Sequence, residues 1–220
     1  MNRKNKMKLQ TRDQSKMWSA LVLAVLGLFL WIQPASAEDA KDSPVGALDD
    51  NFRRGWRELG FGAGAYFSNL DRTPNRPNSD YALGYAQLGY MVTEPAGNGW
   101  YRGNFEVAPE VFAAGVFHGP GNYVAGATLW FRYNFIPRRG RFSPFVEVGG
   151  GGTALDIPHN YDGKDFNFNL NVGVGVRYFI RPKWSLNAEY RFQHISNANL
   201  WNHNIGLNTS GPVLGLSFFF

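Results

Sequence analysis

Residues 165–180 alternate between apolar and polar or small positions. Phe166, Phe168, Leu170, Val172, Val174, Val176, Tyr178 and Ile180 share one parity; Asn167, Asn169, Asn171, Gly173, Gly175 and Arg177 share the other. Successive side chains of a strand point to opposite faces, so this period predicts a strand with one greasy and one polar face. Sixteen residues is long for a strand of a soluble domain. The same period recurs around 59–68, 80–93, 102–116, 122–136, 142–155, 183–197 and 209–220. Small residues blur the two faces most at 80–93 and 142–155. Turn-rich stretches separate these segments: Asn69 to Ser79, Glu94 to Gly99, His118 to Asn122, Pro137 to Gly140, Asp156 to Lys164, Arg181-Pro182 and Ala198 to Asn208.

Eight such segments predict an all-β fold, an eight-stranded antiparallel transmembrane β-barrel. Closure leaves no unpaired backbone edge in lipid. Glu106, Glu110, Arg132, Glu147, Arg177, Glu189 and Arg191 fall on the polar parity. Facing inward, the two signs can pair. Eight strands enclose just enough room for side chains, so a plugged polar interior is expected, not a pore. A secreted lipocalin-like barrel would invert the two faces and is also self-consistent. The alternating Leu214, Leu216, Phe218 and Phe220 tip the balance, because an aromatic C-terminal strand resembles that of bacterial outer-membrane proteins. Lys is also rare on these strands.

The N-terminal part reads differently. Residues 1–16 carry Arg3, Lys4, Lys6, Lys8, Arg12 and Lys16, followed by an apolar run from Met17 to Ile32 and then Pro34-Ala35-Ser36-Ala37. This order describes a signal peptide, 1–37, cleaved between Ala37 and Glu38. A retained membrane anchor is the alternative. The segment 38–58 is read as periplasmic. Its Leu48, Phe52 and Trp56, with Leu59, make one helical stripe, which fits a short interfacial helix or a mobile tail. The barrel is expected to occupy 59–220.

Charge then changes meaning. The 220-residue chain has a formal net charge of +5, which would ordinarily suggest a nucleic-acid partner. The leader holds six of the 22 Lys+Arg and one of the 17 Asp+Glu, which leaves sixteen of each in the mature part. No nucleic-acid partner is expected. The absence of Cys excludes a lipoprotein, a disulfide framework and a thiol nucleophile. His118 and His159 make no metal-ligand spacing with their neighbours.

The candidate chemistry lies on the seventh strand. If both termini are periplasmic, this strand ends at the cell surface. Its apolar parity, Trp184, Leu186, Ala188, Tyr190 and Phe192, continues into His194 and Ser196. At i and i+2 on one face, they are spaced as a general base and its nucleophile require. A polar pair on a lipid-facing side is costly unless it has a task. Both residues standing above the hydrocarbon edge is the plain alternative. Arg191-Phe192-Gln193-His194-Ile195-Ser196-Asn197-Ala198-Asn199, followed by Asn204-Ile205-Gly206-Leu207-Asn208, resembles the C-terminal signature of PagL-type lipid A 3-O-deacylases.

The resemblance implies an outer-membrane serine esterase acting on the 3-position acyl chain of lipid A, with no cofactor. Carried over, Ser196 is the nucleophile and His194 the base, Asn197 and the backbone N–H of Ala198 are oxyanion donors, and Asn204 is a further polar position of the site. The best-known members complete the triad with a Glu twelve residues after the Ser; here that position is Asn208. Asn can orient a His but cannot stabilise an imidazolium as a carboxylate does. Asp156, Asp162, Asp165 and Glu189 are other acids within reach of consideration. Arg72, Arg76 and Lys164 are candidate contacts for lipid phosphates, and Trp201 for the membrane interface. Expected partners are lipopolysaccharide in the outer leaflet and a second copy of the chain, as a homodimer. A non-enzymatic small barrel (adhesin, receptor or structural protein) and an acyltransferase barrel remain alternatives.

Overall fold

The computed structural model describes residues 45–68, 76–162 and 164–220; the expected leader lies outside them. The eight strands are β1 (Arg57–Tyr66), β2 (Asp80–Met91), β3 (Gly103–His118), β4 (Tyr123–Phe135), β5 (Phe142–Leu155), β6 (Phe166–Arg181), β7 (Trp184–Ser196) and β8 (Leu207–Phe219). Each pairs antiparallel with the next, and β8 returns to β1 from Glu58↔Phe219 to Gly64↔Val213, closing the barrel. Among the described residues two short α-helices, α1 (Val45–Asn51) and α2 (His159–Asp162), and a 3-10 turn at Gly99–Tyr101 accompany them. Two boundaries differ usefully from the sequence reading. β1 begins at Arg57, which puts Glu58 on an inward position. β8 begins at Leu207, which brings Asn208 out of the loop and into the sheet.

The apolar parity faces outward. Phe61, Leu88, Val111, Leu129, Phe131, Val148, Leu170, Val174, Leu186 and Leu214 are all exposed, as a lipid-facing belt requires. Among the described residues no helix is long and apolar enough to cross a membrane; strands do the crossing. The N-terminal segment and the β2–β3, β4–β5 and β6–β7 connections lie at one end, which is the periplasmic end of such a barrel, and the β1–β2, β3–β4, β5–β6 and β7–β8 connections lie at the other.

The interior is filled in three layers. At the periplasmic end Leu48 and Phe52 pack with Met91, Ile136, Phe179 and Phe219. At the other end Tyr66, Tyr81, Tyr85, Phe112, Ile195, Leu207 and Val213 make a second apolar layer. Between them lie the paired charges. Arg132 donates to Glu147 at 2.9 Å, Glu106 at 3.0 Å and Gln87 at 3.2 Å. Arg177 reaches Glu58 at 2.5 Å and Glu106 at 3.1 Å. Arg191 binds Glu189 at 2.6 Å, Glu110 at 2.8 Å and Glu147 at 3.1 Å. Buried charges persist when paired and hydrogen-bonded in this way. Aromatic faces assist: the Arg132 and Arg177 guanidinium carbons each lie 4.7 Å from the Phe145 ring centroid. Gly175 leaves room for this traffic, since a Cβ there would lie 2.4 Å from Phe145 and 2.9 Å from Glu189.

The N-terminal stripe does not lie along the membrane interface. The helix ends at Asn51, Gly55 turns the chain at φ 90°, and Leu59 belongs to β1. Leu48 and Phe52 instead enter the barrel mouth. Phe52 is fully buried, with ring centroids 5.9 Å from Phe179 and 5.7 Å from Phe219. The Asn104 amide donates to the Phe52 carbonyl at 2.6 Å, and Arg102 pairs with Asp49 at 2.9 Å. The mouth offers an apolar ring that would otherwise meet water, and this outweighs interfacial burial.

Candidate active site

β7 carries its lipid-facing parity past Tyr190 and Phe192, both exposed, to His194 and Ser196, both half-buried. The sheet register sets their neighbours. On β6, Leu170 stands opposite His194 and Phe168 opposite Ser196. On β8, Asn208 stands opposite His194. Directly opposed residues share a face, so the imidazole, the hydroxyl and the Asn208 amide point the same way, above an exposed apolar wall.

His194 Nδ1 and Asn208 Oδ1 are 2.6 Å apart. With the amide oxygen turned to the ring, Nδ1–H donates and Nε2 keeps its lone pair. That tautomer is the one a general base needs. The other acids considered lie elsewhere. Glu189 is buried in the lumen against Arg191, on the opposite face of β7. Asp156 clamps the start of β4, accepting from the Asn122 N–H at 2.6 Å, the Tyr123 N–H at 3.0 Å and the Asn122 side-chain amide at 2.6 Å. Asp165 is exposed, and its carbonyl accepts the Leu155 N–H at 2.9 Å. The side chain of Asp162 lies outside the described residues.

The loop after Ser196 is tightly wound. Ala198 (φ 53°), Asn199 (φ 61°) and His203 (φ 64°) all adopt left-handed backbone, as does Gly206 (φ 75°). Non-glycine residues adopt it at a cost, so the surrounding hydrogen bonds must hold them there. Asn204 supplies two of these bonds: its Oδ1 accepts the Asn197 N–H at 2.9 Å and its Nδ2 donates to Asn199 Oδ1 at 2.8 Å. The Asn197 side chain is fully buried and donates to the His203 carbonyl at 2.9 Å. The loop is tied to α2 by the Ile205 N–H donating to the Tyr161 carbonyl at 2.8 Å. Lys164 lies 3.8 Å from the Trp201 ring centroid.

This geometry divides the expected donors. The Asn197 side chain is turned into the loop and engaged there, on the parity opposite to Ser196. Asn204 is spent on bracing the backbone. The Ala198 N–H, next but one to Ser196, carries no hydrogen bond among the described residues.

Gly206 abuts both His194 and Ser196. A Cβ there would lie 3.1 Å from the Ile195 carbonyl oxygen, 3.2 Å from His194 Cε1 and 3.7 Å from Ser196 Cβ. Its place in the quoted Asn-x-Gly motif was the available signal. The remaining candidates are remote or undescribed. His118 pairs with Asp80 at 3.3 Å, Arg72 lies outside the described residues, and so does the His159 side chain. Among the described residues no group of three His, Cys, Asp or Glu side chains could hold a metal ion.

Comparison with known proteins agrees with this architecture. Neisserial surface protein A shares 16% identity over 76% of this chain and 97% of its own, with a TM-score of 0.55. The outer-membrane enzyme PagL shares 17% identity over 72% of this chain and 97% of its own, with a TM-score of 0.51. At such identities the likeness is one of fold. No curated protein sequence matches the chain. The model of the lipid A 3-O-deacylase (PagL) family matches residues 80–217, from the start of β2 almost to the end of β8 and across the whole His194 constellation. The chain therefore belongs to the PagL family of lipid A 3-O-deacylases, in the bacterial outer membrane.

Proposed function

We propose that this chain is a serine esterase that hydrolyses the ester at the 3-position of lipid A. The observation that carries the reading is the 2.6 Å contact between His194 Nδ1 and Asn208 Oδ1, with Ser196 two residues along on the same lipid-facing surface. Ser196 Oγ attacks the ester carbonyl while His194 Nε2 takes its proton. The oxyanion forms beside the Ala198 N–H. The tetrahedral intermediate collapses, and the imidazolium returns the proton to the departing 3-hydroxyl of the sugar. Water, deprotonated by the same imidazole, then releases the fatty acid and restores Ser196. Asn208 orients the ring throughout; Asn197 and Asn204 hold the loop that presents Ala198.

The position of the pair suits a substrate that never leaves the membrane. Lipid A stands in the outer leaflet with its acyl chains beside the barrel wall. Phe168 and Leu170, both exposed next to Ser196 and His194, give the scissile chain an apolar surface to lie on. Mass spectrometry of lipid A from cells expressing the wild type or Ser196→Ala tests the proposal. Loss of one 3-hydroxyacyl group with the wild type alone is expected. Unchanged lipid A in both, with the barrel folded in the membrane, favours a non-enzymatic barrel; a gained acyl chain favours an acyltransferase.

A further inference from the structure

Residues 38–220 carry sixteen basic and sixteen acidic residues, but these charges are not evenly placed. The periplasmic end carries Arg57 at the start of β1, Arg138, Arg139 and Arg141 in the β4–β5 turn, Arg181 at the end of β6 and Lys183 in the β6–β7 turn, all exposed. Arg54 adds to them. None of these makes an ion pair among the described residues. Among the described residues the acids at this end are largely committed: Asp49 to Arg102 and Asp50 to Arg53, at 2.9 and 2.6 Å, leaving Glu94. At the opposite end the described charged loop residues, Arg76, Asp80, Asp156, Lys164 and Asp165, mix both signs.

A second observation fixes the height of this basic ring. It coincides with an aromatic girdle. Arg141 precedes Phe142, whose ring lies 4.9 Å from Tyr178. Arg181 is the register partner of Trp184, whose ring lies tilted 4.9 Å from that of Phe218. Arg57 exchanges backbone hydrogen bonds of 3.0 Å with Phe220. Aromatic girdles mark the headgroup level of a membrane protein. The cations therefore stand at the headgroups of the inner leaflet, distributed around the wall on β1 and two separate turns. A soluble acidic protein would be met by one concave patch on the end face; a ring at headgroup level fits lipid.

We propose that this periplasmic rim is a binding surface for anionic phospholipid headgroups of the inner leaflet. It recruits phosphatidylglycerol-type lipid around the barrel and fixes the depth at which the wall, and with it Ser196, sits. The proposal stands on charge placement and does not depend on the esterase reading.

The test uses the mature barrel refolded in mixed bilayers, with quenching of its tryptophans by dibrominated phosphatidylglycerol compared with dibrominated phosphatidylcholine. A preference of about fivefold for the anionic lipid is expected at low salt, the usual effect of one basic residue at an anionic surface. It should fall towards unity in about 0.5 M salt, where screening shortens the range of the attraction. Replacing Arg138, Arg139, Arg141, Arg181 and Lys183 together by Gln should remove it, whereas Arg76→Gln with Lys164→Gln should leave it intact. Equal quenching by the two lipids, a preference insensitive to salt, or one removed by the Arg76 and Lys164 changes instead, overturns the proposal. Should the fivefold variant fail to show the heat-dependent gel mobility of a folded barrel, the wild-type salt series and the Arg76 and Lys164 variant decide.

Discussion

His194 on β7 and Asn208 on β8 are directly opposed register partners, joined by a 2.6 Å contact between Nδ1 and Oδ1. The sheet itself delivers the orienting group to the imidazole. An amide in this place selects the ring tautomer but adds no negative charge. Asn208→Glu should therefore raise kcat on a lipid A substrate, by tenfold or more, because a carboxylate would also stabilise the imidazolium. Asn208→Leu should lower it by about 10²-fold, on the scale of losing an oriented base. A single-turnover assay of released fatty acid reads both, and an activity unchanged in Asn208→Leu would remove Asn208 from the mechanism.

Gly206 lies against both partners of the dyad and has φ 75°. Gly206→Ala adds a methyl group 3.2 Å from His194 Cε1 and left-handed strain of about 1 kcal/mol. The barrel, whose strands do not depend on this residue, should keep its thermal stability within a few degrees. Esterase activity should fall at least tenfold, and the fall should appear in kcat, not in KM.

Asn204 braces a loop in which Ala198, Asn199 and His203 are all left-handed. Asn204→Leu removes an acceptor for the Asn197 N–H and a donor to Asn199. Loss of activity with an intact barrel is expected. Proteolytic nicking between 197 and 206 should quicken at the same time, which separates a loosened loop from a lost substrate contact.

Arg132 is fully enclosed and holds Glu106 and Glu147 together. Arg132→Met leaves three carboxylates in the lumen, those of Glu58, Glu106 and Glu147, without this partner. Removing one member of a buried pair costs about 3–5 kcal/mol. Urea unfolding of the barrel in lipid vesicles should show that loss. A change below about 1 kcal/mol would mean that the network rearranges around the gap.

Asp156 offers a pH test outside the membrane. Partial desolvation acts to raise its pKa, but the hydrogen bonds from Asn122 and Tyr123 outweigh it and hold the carboxyl below the usual carboxylate range. A depressed folded value means that the clamp contributes fully above the ordinary range and is lost as the pH falls through the depressed one. The titration midpoint read from the Asn122 amide by NMR should lie below that of Asp in a short peptide. Asp156→Asn should abolish that transition.

Much of the fold was legible because a strand's period is local. The alternation at 165–180 identifies β6 almost to the residue, and the inward parity of Arg132, Arg177 and Arg191 follows from the same count. Glu58 is not legible in this way, because the local alternation starts β1 one residue after it. Pairing with Phe219 of β8, a contact across almost the whole chain, is what draws that residue into the sheet. The stripe at Leu48 and Phe52 was legible as apolar, but its destination was not, since an interface and an open barrel mouth attract the same side chains.

The site divides along the same line. Parity in the sequence determined that His194 and Ser196 share the outward face, because residues two apart on a strand must. The family signature pointed to Asn208 by its distance from Ser196. Only the tertiary structure decided that Asn208 lies in β8 opposite His194, that Gly206 abuts them, and that the Asn197 amide is spent inside its loop. Those facts depend on inter-strand register and on left-handed loop backbone. Neither is encoded by the period of a single segment; both arise when the barrel closes and each strand finds its partner.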